Sequence, residues 1–193
     1  MRLKLSRFFE ATNPGNERAL YIFDFDDTLV DTASSELRVK ITHTLSSGRV
    51  KTYVLTSDEY ASFKLPTTGK IQLNFADFET VPPDIEIKDQ YFSLLEKALS
   101  DSSGHVIILT ARAVSEPLVD FLRPILKDKM PEVVAVGTSD PYAKSSYIED
   151  LINRFGFSKV YYYDDAEKNI EAVDGIVDDY EDVDFELHHV TDE

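Results

Sequence analysis

The chain has 193 residues, no cysteine and a formal net charge of −16. That length suits one domain carrying an insertion, and it buries a sizeable core without staples. The missing cysteines exclude disulfides, thiolate nucleophiles and cysteine-based zinc sites, and no run approaches the length of a membrane span. The expectation is a soluble, cytoplasmic protein of unknown oligomeric state, with no membrane partner.

The first residues, MRLKLSRFFEAT, carry early positive charge but no sustained apolar segment and no small-residue cleavage pattern. They predict a short amphipathic helix rather than a signal peptide. The first strand is expected over 20–25 (LYIFDF), and the chain then enters an acidic stretch in which Asp24, Asp26, Asp27 and Asp31 fall within eight positions. Carboxylates so close repel one another and raise each other's pKa. They need either open water or a cation, and a DFDDT turn by itself could be a solvated helix-capping loop.

Residues 34–85 read as a strand-rich insertion, a flap or minimal cap. LRVKITHTL and RVKTYVL alternate in polarity around Ser46-Ser47-Gly48 and predict a hairpin; KIQLNF at 70–75 adds a third strand. The hairpin stretch 38–51 holds Arg38, Lys40, Arg49 and Lys51 and no acid. Such a stretch either tracks a phosphate backbone or protects an exposed edge by charge.

From residue 89 onward, helices and strands alternate. A helix over 89–100 buries Phe92, Leu95 and Leu99; HVIIL at 105–109 is the second core strand. Ser115 is expected to cap a helix with Leu118, Val119, Leu122 and Ile125 on its apolar side, shortened or kinked by Pro124. VVAV at 133–136 is the third strand, 141–155 a helix, VYYY at 160–163 the fourth strand, and 166–177 a helix. Near-continuous apolarity points to strands buried on both faces of a parallel sheet. The order predicts an α/β, doubly wound, Rossmann-like fold with helices on both faces. From Glu171 onward there are ten acids and no Lys or Arg, which reads as a solvated surface. VDFELHHV within it is either a last edge strand or a segment that orders on binding.

Ligands of open α/β sheets bind beyond the carboxyl ends of the strands. Asp24 and Asp26 follow the first strand, Thr110-Ala111-Arg112 the second and Asp164-Asp165 the fourth, while Lys144 lies in the first turn of the helix leading to that fourth strand. Four separated segments then converge on one crevice.

These segments resemble the four motifs of the haloacid dehalogenase superfamily. Asp24-Phe25-Asp26-Asp27-Thr28 is similar to its Asp-x-Asp-x-Thr motif, Thr110 to the Ser or Thr ending its second strand, Lys144 to its helix-borne Lys, and Asp164-Asp165 to its closing acidic pair. The match runs from about residue 20 to 178. The resemblance implies a phosphomonoester hydrolase in which Asp24 forms an aspartyl-phosphate and Asp26 serves as acid and then base. It implies Mg²⁺ held by the side chains of Asp24 and Asp164, the backbone carbonyl of Asp26, and Asp165 directly or through water. Thr110 and Lys144 would hold phosphate oxygens, with Thr28, Arg112, Arg49 and Lys51 as substrate-binding candidates, Arg112 reading equally as a structural ion pair, and Asn169 steadying the fourth-motif loop. An acid at position 26 favours phosphate-ester hydrolysis over dehalogenation. LTAR resembles the second-strand ending of polynucleotide 3′-phosphatases, and the compact layout resembles small phosphatase-like proteins of tailed phages. The expected substrate is a nucleotide or nucleic-acid 3′ end; the alternatives are a small-metabolite phosphatase and a silent phosphate- or partner-binding module.

Overall fold

A computed structural model of the chain describes residues 18–191. Strand β1, Ala19–Phe23, is followed by the short β2, Val30–Asp31, then β3, Val39–Thr44, and β4, Val50–Leu55. Helix α1, Ser57–Ser62, β5, Lys70–Asn74, and the two-residue β6, Glu86–Ile87, complete the first half. The second half runs α2, Asp89–Ala98, β7, Gly104–Thr110, α3, Glu116–Leu126, β8, Glu132–Ala135, α4, Pro141–Phe155, β9, Lys159–Asp164, α5, Glu167–Val177, and β10, Asp184–His189. The amphipathic helix expected at the N-terminus lies outside the described residues.

Five strands form a parallel sheet in the order β10-β9-β1-β7-β8. The apolar runs explain it. Every residue of β1 except Tyr21 is buried, as are the last five of β7, so these strands need cover on both sides. One core joins Phe23, Val106 and Ile108 to Leu95 of α2 and Leu118 and Leu122 of α3. The other joins Leu20, Ile22 and Leu109 to Ile148 and Leu151 of α4 and Val173 of α5. Residues that alternate along β1 and β7 thus feed different cores, as side chains on opposite faces of a strand must. The result is an α/β domain whose parallel sheet is flanked by helices.

Local sequence sets the helix ends. Asp140 accepts the amide of Tyr142 at 3.1 Å, Pro141 supplies the first turn, and Gly156 at φ 65° ends α4, as capping chemistry favours. Two local expectations change. Ser115 makes no side-chain cap bond. Pro124 sits inside α3 without breaking it before Leu126, and the buried side is Leu118, Leu122 and Leu126 while Ile125 is exposed. The i, i+4 repeat carries the apolar stripe to 126 rather than 125.

The first strand also ends earlier than its apolarity suggests. The amide of Asp24 still donates to the Tyr163 carbonyl at 2.9 Å, but the amides of Leu29 and Val30 both turn back onto the carbonyl of Phe25. Asp27 takes φ 57°, a left-handed conformation that Asp tolerates better than most residues. Phe25 is fully buried and meets Phe121 edge-on.

The segment between this turn and α2 leaves and returns through the antiparallel pair β2–β6, with Val30 opposite Ile87. Within it, β4-β3-β5 form a three-stranded sheet: β3 and β4 are the expected hairpin, with Gly48 at φ 81° in its turn, and β5 pairs on the other side of β3. The acidic tail contains the edge strand β10, parallel to β9, and Lys159 meets its Asp184 and Glu186 at 3.2 and 2.8 Å. Among the described residues no helix is long and apolar enough to cross a membrane.

Candidate active site

The carboxyl edge of the parallel sheet opens into a cavity of about 640 Å³. Its lining takes residues after four strands: Asp24, Asp26 and Asp27 after β1, Ala111 to Val114 after β7, Gly137 to Asp140 after β8, and Asp165, Ala166, Lys168 and Asn169 after β9. Segment 34–85 supplies the opposite wall, including Tyr60, Phe75 and Phe78.

At the floor, adjacent parallel strands β1 and β9 bring Asp24, Asp164 and Asp165 together, with one oxygen of each lying within 4.8 Å of the others. Lys144 reaches between them from α4, its Nζ 2.7 Å from Asp24 Oδ1 and 2.6 Å from Asp164 Oδ2. All but Asp165 are buried. Burial pushes the Asp24 carboxyl well up; Lys144 opposes this, while Asp164, Asp165 and Asp26 reinforce it. Burial alone would lower the Lys144 ammonium, yet Asp164 and Asp24 hold it above its ordinary range. Asp165 is raised to about 7 by burial and then by the charges of Asp164 and Asp27.

The two acids of the fourth strand are not equivalent. Asp164 accepts four hydrogen bonds: Lys144 Nζ and the Tyr162 hydroxyl on Oδ2, the Ala166 amide and Asn169 Nδ2 on Oδ1. Two carboxylate oxygens offer about four lone-pair positions, so Asp164 is extensively hydrogen-bonded. Burial and Asp164 push the Tyr162 hydroxyl far up, keeping it a donor. Among the described residues the Asp165 carboxylate has only the Thr28 hydroxyl, 3.5 Å from Oδ1. Among the described residues Asp24 Oδ2 and the Asp165 carboxylate carry the fewest partners, while Asp164, in the same acidic group, also orients Lys144. Asp164, expected to touch a metal through its side chain, belongs with Asp24 and Asp165 to the acidic group whose oxygens could hold one.

Asp26 is gripped by Arg112, with Nε 2.9 Å from Oδ2 and Nη2 2.7 Å from Oδ1. The remaining nitrogen of Arg112, Nη1, donates to the carbonyls of Phe78 and Thr80 at 2.9 and 2.7 Å. Its guanidinium also lies over the rings of Phe25 and Phe78, 5.5 and 5.3 Å from their centroids. Arg112 thus uses all three of its nitrogens and holds Asp26 to the opposite wall. It forms the structural ion pair that was the alternative to a substrate contact, and it also lines the cavity.

Asp27 and Asp31, counted with the cluster in sequence, do other work. Asp27 accepts the Ala33 amide at 2.7 Å and the Ser57 hydroxyl, pinning α1 to the turn after β1. Asp31 caps Ser34 at 2.9 Å. Thr110 and Thr28 are fully buried and do not line the cavity; Thr110 Oγ1 accepts the Arg112 amide at 3.2 Å. Arg49 and Lys51 also lie outside the lining. Arg38 donates to the carbonyls of Ser35 and Leu37, and Lys40 pairs with Asp77 at 3.3 Å. Asn169 holds the fourth-motif loop as expected.

Sequence reasoning missed the far wall and Lys168. Tyr60 donates to or accepts from Ser139 Oγ at 3.1 Å, meets Phe75 edge-on at 5.3 Å, and lies 5.9 Å from Lys168 Nζ. The available signal was aromatic residues placed in a short, otherwise polar strand-rich segment. Comparison with protein-family models, with curated proteins and with solved structures finds no match.

Proposed function

We propose that the chain is a Mg²⁺-dependent phosphomonoester hydrolase of the haloacid dehalogenase type, with a doubly wound domain and residues 34–85 as its cap. The observation that carries this is the convergence of Asp24, Asp164 and Asp165 with Lys144 between them, at the floor of a cavity at the carboxyl edge of the sheet. Three carboxylates against one ammonium leave an excess of two negative charges, and the donors are all hard oxygens, which suits a small divalent cation. The carboxylates of Asp24, Asp164 and Asp165 would hold the ion, which when bound would offset charge on the phosphoryl oxygens.

The residues then divide the work. Lys144 fixes Asp24 through Oδ1, which leaves Oδ2 to attack phosphorus. The Oδ2–P bond forms as the bond to the leaving oxygen breaks, and Asp26 delivers a proton to that oxygen. In the second half Asp26 takes a proton from water as the water oxygen bonds to phosphorus and the Asp24–phosphorus bond breaks. The Arg112 fork occupies one position on each Asp26 oxygen and leaves a second on each, so Asp26 can exchange protons while held in place. Burial of Asp24 and Lys144 keeps bulk water from competing with this chemistry.

The substrate side supports a small ester over a nucleic-acid end. The cations expected to track a backbone are either occupied, as Arg38 and Lys40 are, or outside the cavity lining, as Arg49 and Lys51 are. Phosphate release from a panel of monoesters, with and without Mg²⁺, by wild type and Asp24→Asn, tests the reading. Release that needs both Mg²⁺ and Asp24 is expected; release undiminished in Asp24→Asn would refute it.

A further inference from the structure

The cavity has two chemically distinct ends. One is the charged floor already described; the other is an apolar wall supplied by the segment between β1 and α2 and by the loop after β7. Leu73, Phe75 and Val114 are exposed large apolar residues, and all three line the cavity. Tyr60 stands among them, held upright by Ser139 on one side and by the edge of Phe75 on the other. Apolar surface left exposed inside a cavity marks a place where something apolar docks.

The charges of the lining exclude other ligands. Three cations line the cavity: Lys144, Arg112 and Lys168. Lys144 is consumed by two carboxylates, and Arg112 by Asp26 and two carbonyls. Lys168 alone has no carboxylate partner among the described residues, and its Nζ lies 5.9 Å from the centroid of the Tyr60 ring. Against these stand the acids Asp24, Asp26, Asp27, Glu79, Asp140 and Asp165. A second phosphate, or a run of them, would meet carboxylates with one ammonium to offset them.

We infer that the apolar wall takes a flat, uncharged ring system as the leaving group, so that the substrate is a single-phosphate ester of nucleoside size, held by its phosphate at Asp24 and by its ring at Tyr60 and Phe75. This deepens the phosphatase assignment and rests on it for the position of the phosphate. The cavity volume of about 640 Å³ falls in the range of small-ligand sites. Tyr60 offers a ring face to stack on, Phe75 an edge, and Lys168 a donor for ring or sugar oxygens. Gln72 and Asn74, at the same wall, add neutral hydrogen-bond partners. Diphosphates and 3′-phosphorylated oligonucleotides fit the charge pattern worse than the monoester.

Two measurements separate this inference from the assignment beneath it. Equilibrium dialysis with the Asp24→Asn chain and Mg²⁺ compares a purine nucleoside monophosphate, glycerol phosphate, the nucleoside diphosphate and a 3′-phosphorylated oligonucleotide. The monophosphate is expected to bind about tenfold or more tighter than glycerol phosphate, the scale of one base stacked on one aromatic ring. It should also bind tighter than the diphosphate and the oligonucleotide. Tyr60→Leu should pull the ratio of monophosphate to glycerol phosphate affinity toward one, and Tyr60→Phe, which keeps the ring and its edge contact with Phe75 and gives up the Ser139 hydrogen bond, should hold it. Equal affinities in the first comparison, preference for the diphosphate or oligonucleotide, or loss of the ratio in Tyr60→Phe would overturn the inference. The second measurement is kcat/KM of wild type on the same esters. Turnover without ring preference overturns the pocket and leaves the phosphatase standing; ring-selective binding without turnover of any ester supports the pocket and overturns the phosphatase.

Discussion

Arg112 joins Asp26 to the wall that faces it: one guanidinium binds both oxygens of Asp26 and, through Nη1, the carbonyls of Phe78 and Thr80. The side chain of Arg112 is 3 % exposed and that of Asp26 17 %. The proposed proton-transfer residue is therefore positioned by the segment that closes the cavity, and any movement of that segment is felt at Asp26. Arg112→Ala removes one partner of a mostly buried pair and two donors to carbonyls, a change that typically costs about 3–5 kcal/mol. Arg112→Lys keeps the charge but not the planar fork. Denaturant melts should show Ala as the larger loss. Phosphatase kcat should fall in both variants, and more than KM rises, because Asp26 is misplaced rather than the phosphate site removed. A KM effect alone would make Arg112 a substrate contact after all.

Lys144 carries a different prediction. Lys144→Met leaves Asp24 and Asp164 buried without their shared ammonium, and unpaired buried charge is strongly destabilising. Asp24 already has a raised pKa in the folded state. A carboxyl raised on folding favours the fold when protonated and disfavours it when ionised. The variant should therefore lose stability as pH rises above the ordinary carboxylate range, more steeply than wild type. A pH dependence of denaturation parallel to that of wild type would contradict the pairing.

The pH dependence of metal binding follows from Asp165. Its carboxyl, raised to about 7, must lose its proton to become a ligand. Mg²⁺ affinity should thus rise through neutral pH and level off above it, with proton release on binding below pH 7. Asp165→Asn should flatten that dependence and weaken binding more than Asn169→Ala, which only loosens the post at Asp164. Calorimetry in buffers of different ionisation enthalpy reads both effects. An affinity independent of pH between 6 and 8 would remove Asp165 from the site.

Gly69 tests the integrity of the capping segment. It takes φ 84°, and a Cβ there would lie 2.5 Å from the Thr44 carbonyl oxygen and 2.8 Å from His43 Nε2. Backbone cannot yield at such a contact, and the conformation itself disfavours a side chain. Gly69→Ala should cost about 1 kcal/mol or more and speed amide exchange in β3 and β5 more than in the parallel sheet. Uniform exchange across both sheets would show that the two unfold as one unit.

How far the sequence told this in advance follows a physical divide. The parallel sheet was legible because buried strands must be continuously apolar, and each such run was followed by the polar residues that mark a carboxyl edge. Asp24, Lys144, Asp164 and Asp165 were legible because their positions on those edges are fixed by strand and helix geometry. What side chains do with their second oxygen or third nitrogen was not. Asp164 and Asp165 are adjacent in sequence and look alike, yet Tyr162, Ala166, Asn169 and Lys144 donate to the first and, among the described residues, only Thr28 to the carboxylate of the second. Arg112 became a clamp because residues more than thirty positions upstream offer it carbonyls. The role of the basic hairpin was not legible, because charge along a strand is visible in sequence while the direction it faces depends on how the segment is docked, here through Asp27–Ser57 and Tyr60–Ser139.

The most direct test of the central claim is whether Asp24 becomes covalently phosphorylated. Wild type is mixed with an excess of a rapidly cleaved monoester and Mg²⁺, quenched in acid, reduced with borohydride and digested. An aspartyl-phosphate at position 24 is reduced to homoserine, so the peptide that spans β1 should carry that change, dependent on Mg²⁺ and absent from Asp24→Asn. Phosphate release at full rate with Asp24 unmodified would show that water attacks the ester directly, and would contradict the account.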